Sequence, residues 1–358
     1  MLNYNLKGDD FTPLFEAGMN SLQSVRFYAT LKAQTKAMEM KFSSTIVFDY
    51  PSIGQMAGHI FNLMDVDASE VKSSEITKTA VKKIEEGTNA IVSMACRLPS
   101  GCDTPDKFWD FLLKGESSIS RIPVHRWNTK TAYPAGVKTA EYASFLNDVD
   151  MFDHKSFGLS SGEVSVLDPQ QRLALEVAYE CLAQSSIVGD NPTRPGVGKY
   201  HGARVGVYIA YSNDDWRAVL NEGHGDGSSY GFSGRCGAIA AGRISYTFGL
   251  KGPSMVVNTA CSSSIVAVDL ASKALRDDEC DAALVIAVNL NLHPQTFAEL
   301  AQAGQLSPLG RCATFDAASD GFVRGEGVVG IMMERSEDAL SLGDDVLAEI
   351  LGSGVNQG

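Results

Sequence analysis

Two positions combine a reactive residue type with surroundings that could use it. Cys261 lies between a strand-like SMVVNT and a helix-like SSSIVAVDLASKAL. A strand-to-helix turn in a parallel sheet opens at the carboxyl edge, where ligands bind. A thiol at a helix start also meets partial positive charge that raises its nucleophilicity. Ser262, Ser263 and Ser264 are small, which lets an acyl chain or a neighbouring backbone come close. The competing reading is an inert core thiol, since buried cysteine behaves as a small hydrophobe. Ser21 lies in FEAGMNSLQSV, where Gly18 permits a tight turn and Asn20 and Ser21 suit a helix start. A hydroxyl beside unpaired helix N–H groups is a setting that favours a phosphate ester. For an isolated serine, a plain N-cap is the ordinary reading.

The elements that must position these residues fall into two groups. A chain of 358 residues, 44% hydrophobic, suffices for one large domain or two unequal ones. Residues 65–88, DVDASEVKSSEITKTAVKKIEEGT, mix charge with Ser and Thr and hold no aromatic residue, so they read as a solvated linker. Upstream, Leu22, Val25 and Leu31 recur at near-helical spacing, and Pro51 precedes a second helical pattern through Ile53, Met56, Ile60 and Leu63. Residues 1–64 are therefore expected to form a small all-helical unit. Downstream, RVGVYIA, SMVVNTA, CSSSIVAVDLASKAL and AALVIAV alternate strand-like with helix-like runs. Such alternation implies right-handed crossovers and a buried, largely parallel sheet, so 89–358 is expected to be α/β. No solenoid-type repeat is visible.

Composition narrows the function classes. The formal charge of −13 opposes non-specific binding to nucleic acid. Residues 1–64 carry balanced charge, so the acid excess lies beyond them. No apolar run approaches the roughly 20 residues of a membrane span. The opening MLNYNLKGDD lacks the apolar core of a secretory signal. Seven cysteines occur without a C-x-x-C pair, which indicates neither a zinc site nor a disulfide framework. A cytoplasmic protein with reduced thiols is expected.

GMNSL followed by VFDYPSIGQMAGHI resembles the acyl carrier family. Its usual motif is G-x-D-S-L, with the serine carrying 4'-phosphopantetheine, and Ser21 matches that serine. Asn20 departs from the usual Asp, removing a charge expected to help the phosphopantetheinyl transferase and its metal. Only 20 residues precede Ser21, too few for the family's first helix and long loop, so the carrier domain is expected to be N-terminally clipped. From residue 89 onward the chain resembles the ketosynthase domain of modular (type I) polyketide synthases. The matching motifs are IVSMACRLPSGCDTPDKFWD, LDPQQRLALEVAYECL, CGAIAAGRISYTFGLKGPSMVVNTACSSSIVAVDLA, LSPLGRCATFDAASDGFVRGEG and GSGVNQG. Cys261 occupies the place of the family's acylated nucleophile, where a Gln would have suggested a decarboxylating loading domain. Asn258 stands where Asp is commoner.

The resemblance implies a thiolase-like fold of two similar α/β halves, of which this chain holds the first while the second is largely missing. It also implies two histidines, in motifs like H-G-T-G-T and K-S-N-I-G-H, and neither motif occurs. After Cys261 the only histidine is His293, ahead of Pro294 in a loop-like setting, and none of the six histidines is assigned a role. The implied function is that of an assembly line. Ser21 holds a thioester-linked acyl group on phosphopantetheine, and Cys261 accepts an acyl chain by transthioesterification. Decarboxylative Claisen condensation with a malonyl-type extender on a carrier domain would follow in an intact parent, with the 358-residue chain alone not expected to condense. Implied partners are acyl thioesters, a phosphopantetheinyl transferase, the remaining synthase domains and a second copy through the ketosynthase. The alternatives are a non-catalytic carrier or docking piece, and a fatty-acid synthase component.

Other motifs are formal matches only. Gly158-Leu-Ser160-Ser-Gly162 fits a nucleophile elbow, but the polar DMFDHKSF before it is no buried strand. Gly325-Glu-Gly327-Val-Val-Gly330 fits G-x-G-x-x-G, yet GVVGIMMERS continues as a strand where a dinucleotide fingerprint needs a helix. The glycine-rich stretch 223–237 is expected to shape a turn and a wall of the site.

Overall fold

The computed structural model describes residues 31, 52–53, 55–56, 87–133, 140–190, 196–222 and 228–357. The chain divides into two units, Met1–Ala80 and Val81–Gly358. In the first, the Ser52 hydroxyl accepts the Gln55 N–H at 3.3 Å and a helical turn follows, with Met56 buried. Ser21 lies outside the described residues, as do Leu22 and Val25.

The second unit is built on a six-stranded sheet. Its strands are β1 (Asn89–Arg97), β4 (Val205–Tyr211), β5 (Ser254–Val257), β6 (Ala282–Asn289), β8 (Gly327–Arg335) and β9 (Ala348–Ile350), in the order β5-β4-β6-β8-β1-β9. A three-stranded sheet of β2 (Ser120–Arg121), β3 (Tyr142–Ser144) and β7 (Arg324–Gly325) stands apart from it. The helices that matter below are α1 (Pro105–Lys114), α2 (Pro169–Gln184), α3 (Asp215–Glu222), α4 (Ala240–Phe248), α5 (Ser263–Arg276), α6 (Gln295–Gln302) and α7 (Ser336–Leu342).

The apolar runs of β4 and β6 follow from burial on both faces. Along β6, Ala282, Leu284, Ile286 and Val288 join one core with α2, while Ala283 and Val285 join another with α5. Alternate side chains point to opposite faces of a strand, so a strand sandwiched between helices has no polar face to show. Gly330 on β8 serves the α2 side. A Cβ there would lie 2.7 Å from Val177 Cγ1 and 2.8 Å from Cys181 Sγ, so the glycine lets helix and strand approach. This is a packing role, in a strand, for the last glycine of the formal G-x-G-x-x-G.

The sheet is mixed rather than largely parallel. β4 pairs in parallel with β5 and β6, but β6 with β8, β8 with β1 and β1 with β9 are antiparallel. The cause is the route of the chain. It leaves β6 at Asn289, builds α6 and β7, and re-enters at Gly327 directly opposite Asn289, so the returning strand must run back the other way. The Gly-rich segment also departs from expectation. Its described part forms a short helix, Gly231–Arg235, with Gly234 packed on the Val166 carbonyl, and takes no part in lining the cleft that holds Cys261.

One buried group on β8 is poorly accommodated. Glu334 sits across the sheet from Ala90 and Ala282, fully buried, with neither carboxylate oxygen partnered among the described residues. Burial, with Asp344 and Asp338 nearby, pushes its carboxyl up to about 7. An unfolded glutamate titrates at about 4.3. Between those values the unfolded chain binds fewer protons, so stability falls as pH rises and levels off above about 7. Glu334→Gln keeps the shape and removes the titration. In urea unfolding the variant is expected to exceed the parent at pH 8 by about 3–4 kcal/mol, shrinking to about 1 at pH 5. An equal gap at both pH values would show that the carboxyl ionises normally in the fold.

Candidate active site at the Cys261 turn

β5 ends at Val257, and the chain reaches α5 through Asn258, Thr259 and a 3-10 turn, Ala260–Ser262. The turn is tight because Ala260 adopts φ 56°, a left-handed conformation that costs a non-glycine residue roughly 1 kcal/mol or more. Neighbouring side chains hold it there. The Ser263 hydroxyl accepts the Thr259 N–H at 2.8 Å and donates to the Ala260 carbonyl at 2.6 Å. The Ser262 hydroxyl donates to the Thr259 carbonyl at 2.8 Å, and Asn258 Oδ1 accepts the Ala260 N–H at 3.3 Å. Two of the serines chosen for their small size thus stitch the turn with their hydroxyls, and Asn258 supplies the acceptor that an Asp would.

The result is an exposed Cys261 thiol on a cleft of about 760 Å³. Ala210 at the end of β4 and Ser212 just after it, Asn258 after β5, and Val288 and Asn289 at the end of β6 line the same cleft, which therefore sits at the carboxyl edge of the parallel strands. Cys96, Cys102, Cys181 and Cys280 are buried, with burial pushing Cys181 up to about 12 and Cys280 up to about 11. Cys312 is the other exposed thiol and is not among the cleft's lining residues. No described histidine lines the cleft. His293 lies instead between α3 and α6, with Nε2 2.9 Å from Glu222.

Opposite Cys261, the cleft wall is the segment Phe322–Gly327. Its anchor is Glu326, whose carboxylate is fully buried and fully occupied. Arg126 binds it with two bonds of 2.9 Å, and the backbone N–H groups of Leu146 and Asn291 each donate at 2.8 Å. With every strong donor direction filled, Glu326 acts as a structural tie between strand β8 and the loops after β3 and β6, and is no candidate for a base. A second tie joins the loops after β4 and β6. Gln170 donates to the Asn213 carbonyl at 2.9 Å and accepts the Leu290 N–H at 3.1 Å, while Tyr211 donates to buried Asp168 at 2.5 Å. Burial lifts Asp168 to about 6 despite those bonds. The DPQQR and GEG motifs marked these residues in sequence, but nothing in their spacing announced partners so far along the chain.

Two family models match the chain: the phosphopantetheine attachment site over residues 2–60, and the N-terminal domain of beta-ketoacyl synthase over residues 89–339. A phenolphthiocerol/phthiocerol polyketide synthase protein of Mycobacterium tuberculosis is 40% identical over 315 residues, 87% of this chain and 16% of that protein. Polyketide synthase GfsB of Streptomyces halstedii is 35% identical over 348 residues, 96% of this chain and 6% of that protein. Among solved structures, the ketosynthase from module 6 of the bacillaene synthase of Bacillus subtilis 168 superposes with a TM-score of 0.66 at 33% identity, over 75% of this chain and 44% of that one. The chain therefore spans only a small part of the curated relatives it matches.

The buried pair gives a direct test of the cleft wall. Glu326→Ala leaves the Arg126 guanidinium without its partner and is expected to lower stability by about 3–5 kcal/mol in urea unfolding. The double change Glu326→Leu with Arg126→Met removes the unpaired charge but leaves the Leu146 and Asn291 N–H groups without an acceptor, so it is expected to recover only part of that loss. A single variant as stable as the parent would show that the pair does not tie the wall.

Proposed function

The chain belongs to the beta-ketoacyl synthase family of modular polyketide synthases, with an acyl carrier segment ahead of the ketosynthase, and we propose that it hands acyl groups between two covalent stations, Ser21 and Cys261. The cofactor of the carrier segment is 4'-phosphopantetheine, and in this reading a phosphopantetheinyl transferase supplies it. We assign its attachment to Ser21, in GMNSL, and the domain bounds to 1–64 for the carrier, 65–88 for the linker and 89–358 for the ketosynthase portion.

Transfer to Cys261 is a transthioesterification. The sulfur attacks the thioester carbon, a new C–S bond forms, the bond to the pantetheine sulfur breaks, and the thiol proton of Cys261 passes to the departing sulfur. The observation that carries this reading is the exposed Cys261 thiol at the carboxyl edge of β4, β5 and β6, within the T-A-C-S-S-S motif. Condensation with a malonyl-type extender is assigned to the whole synthase, because histidine motifs of the family's kind do not occur in these 358 residues; in this reading that synthase works as a homodimer in the cytoplasm. The polyketide rather than fatty-acid assignment is supported by relatives that are polyketide synthases. Among the described residues no helix is long and apolar enough to cross a membrane.

Intact-mass measurement tests both stations. Incubation with a phosphopantetheinyl transferase and coenzyme A is expected to add one phosphopantetheinyl group, lost in Ser21→Ala. Incubation with an acyl N-acetylcysteamine thioester is expected to acylate Cys261, with the product lost in Cys261→Ala and kept in Cys312→Ala. A chain modified at Ser21 but never acylated at Cys261 would be a carrier or docking piece only.

A further inference from the structure

The cleft that holds Cys261 is also lined by an arginine that forms no ion pair among the described residues. Arg324, on β7, lines it, and its guanidinium lies over the Phe297 ring with the central carbon 4.8 Å from the centroid. Among the described residues that guanidinium makes no hydrogen bond or ion pair, and its Nη1 is shut off from solvent with no acceptor. Burial lowers its affinity for its proton, the mark of a desolvated cation.

Two carboxylates lie near enough to act on it electrostatically, Asp215 and Glu326, and both are already engaged. Glu326 is held by Arg126 and two backbone N–H groups. Asp215 accepts the N–H groups of Leu292 at 3.0 Å and His293 at 3.2 Å, and the Thr296 hydroxyl at 3.0 Å. Arg126 shows what a buried guanidinium in this fold ordinarily has, a carboxylate meeting it fork to fork. Arg324 has the same chemistry on the wall of the cleft that holds the candidate nucleophile, and its Nη1 lacks an acceptor among the described residues. Taking such a cation out of water without a partner is costly, and a ligand oxyanion entering the cleft would relieve the cost.

We propose that Arg324 is the anion-recognising residue of the Cys261 cleft, binding the oxyanion of the thioester that Cys261 receives. The ligand rests on the thioester reading above, whereas the anion site itself does not. The oxyanion has two sources with one chemistry: the free carboxylate of a carboxyacyl group, or the phosphate of the pantetheine arm. Arg324 acts on binding and selection, and takes no proton and makes no bond.

Charge-selective alkylation tests the site. Iodoacetate and iodoacetamide differ by one negative charge and attack the same sulfur, so the ratio of their rates at Cys261, read by peptide mass, cancels any general change in access to the thiol. In the unaltered 358-residue chain the ratio at Cys261 is expected to exceed that at Cys312 at least about threefold. Arg324→Gln is expected to lower the Cys261 ratio about five- to tenfold, and Arg324→Lys, which keeps the charge, to retain most of it. A ratio that is the same at both cysteines, or unmoved in Arg324→Gln, overturns the proposal. Should Arg324→Gln fail to fold, the comparison of the two cysteines within the unaltered chain decides.

Protection of Cys261 against iodoacetamide then separates the sources. Malonyl-N-acetylcysteamine offers a carboxylate without phosphate, acetyl-phosphopantetheine a phosphate without carboxylate, and acetyl-N-acetylcysteamine neither. Loss of protection in Arg324→Gln by the first alone assigns the carboxylate, and by the second alone the phosphate. Undiminished protection by both overturns the assignment. If Cys261 resists both reagents, the thioester-acceptor reading falls, and equilibrium binding of malonyl-N-acetylcysteamine to the parent and to Arg324→Gln decides the anion site by itself.

Discussion

An alanine held at φ 56° joins β5 to α5, and the presentation of Cys261 depends on it. Were the backbone of Ala260 in an ordinary right-handed or extended conformation, the chain would leave β5 in another direction and the thiol would not stand at the cleft. The unfavourable dihedral persists because Asn258, Ser262 and Ser263 hydrogen-bond around it, so local strain is offset by local bonds. The sheet supplies the rest of the constraint. β4 and β6 fix the floor of the cleft, side by side next to the turn's own edge strand, and both are buried against helices on each face.

The far wall is fixed by electrostatics rather than by apolar packing. Burying the Glu326 and Arg126 charges is tolerable because each carboxylate oxygen receives two donors and the guanidinium also reaches the Leu146 carbonyl at 2.9 Å. The pair spans 200 residues of sequence and binds the strand bearing Gly327 to the loops that flank the smaller sheet. Arg324, two residues away, lines the same cleft, yet its buried Nη1 has no acceptor among the described residues.

Much of this arrangement was legible beforehand, and the reasons are physical. RVGVYIA and AALVIAV read as strands because burial on two faces leaves unbroken apolar runs, and SSSIVAVDLASKAL reads as a helix because its apolar positions recur at helical spacing. Cys261 was identifiable because a thiol at a strand-to-helix junction is chemically conspicuous and the motif around it is long. The direction of β8 was not legible, since it depends on where a long connection re-enters the sheet rather than on any residue within the strand. Nor was the bend at Ala260, because alanine carries no signal for a left-handed backbone as glycine does. Arg126 gave only a charge in a loop-like context, and Arg324 and Glu326 gave only places within the FVRGEG motif. What they do is decided by partners distant in sequence, which spacing does not encode.

The placement of β6 has a further consequence for how the cleft can change shape. This strand is paired on both edges and covered on both faces, and its last residues, Val288 and Asn289, are cleft floor. Its central amides are therefore among the last in the molecule to exchange with deuterium, since only global unfolding exposes them. A floor with that protection keeps its shape short of global unfolding. A change in the cleft's width is therefore left to its other walls, the segment Phe322–Gly325 among them, and leaves the floor beside Cys261 unmoved.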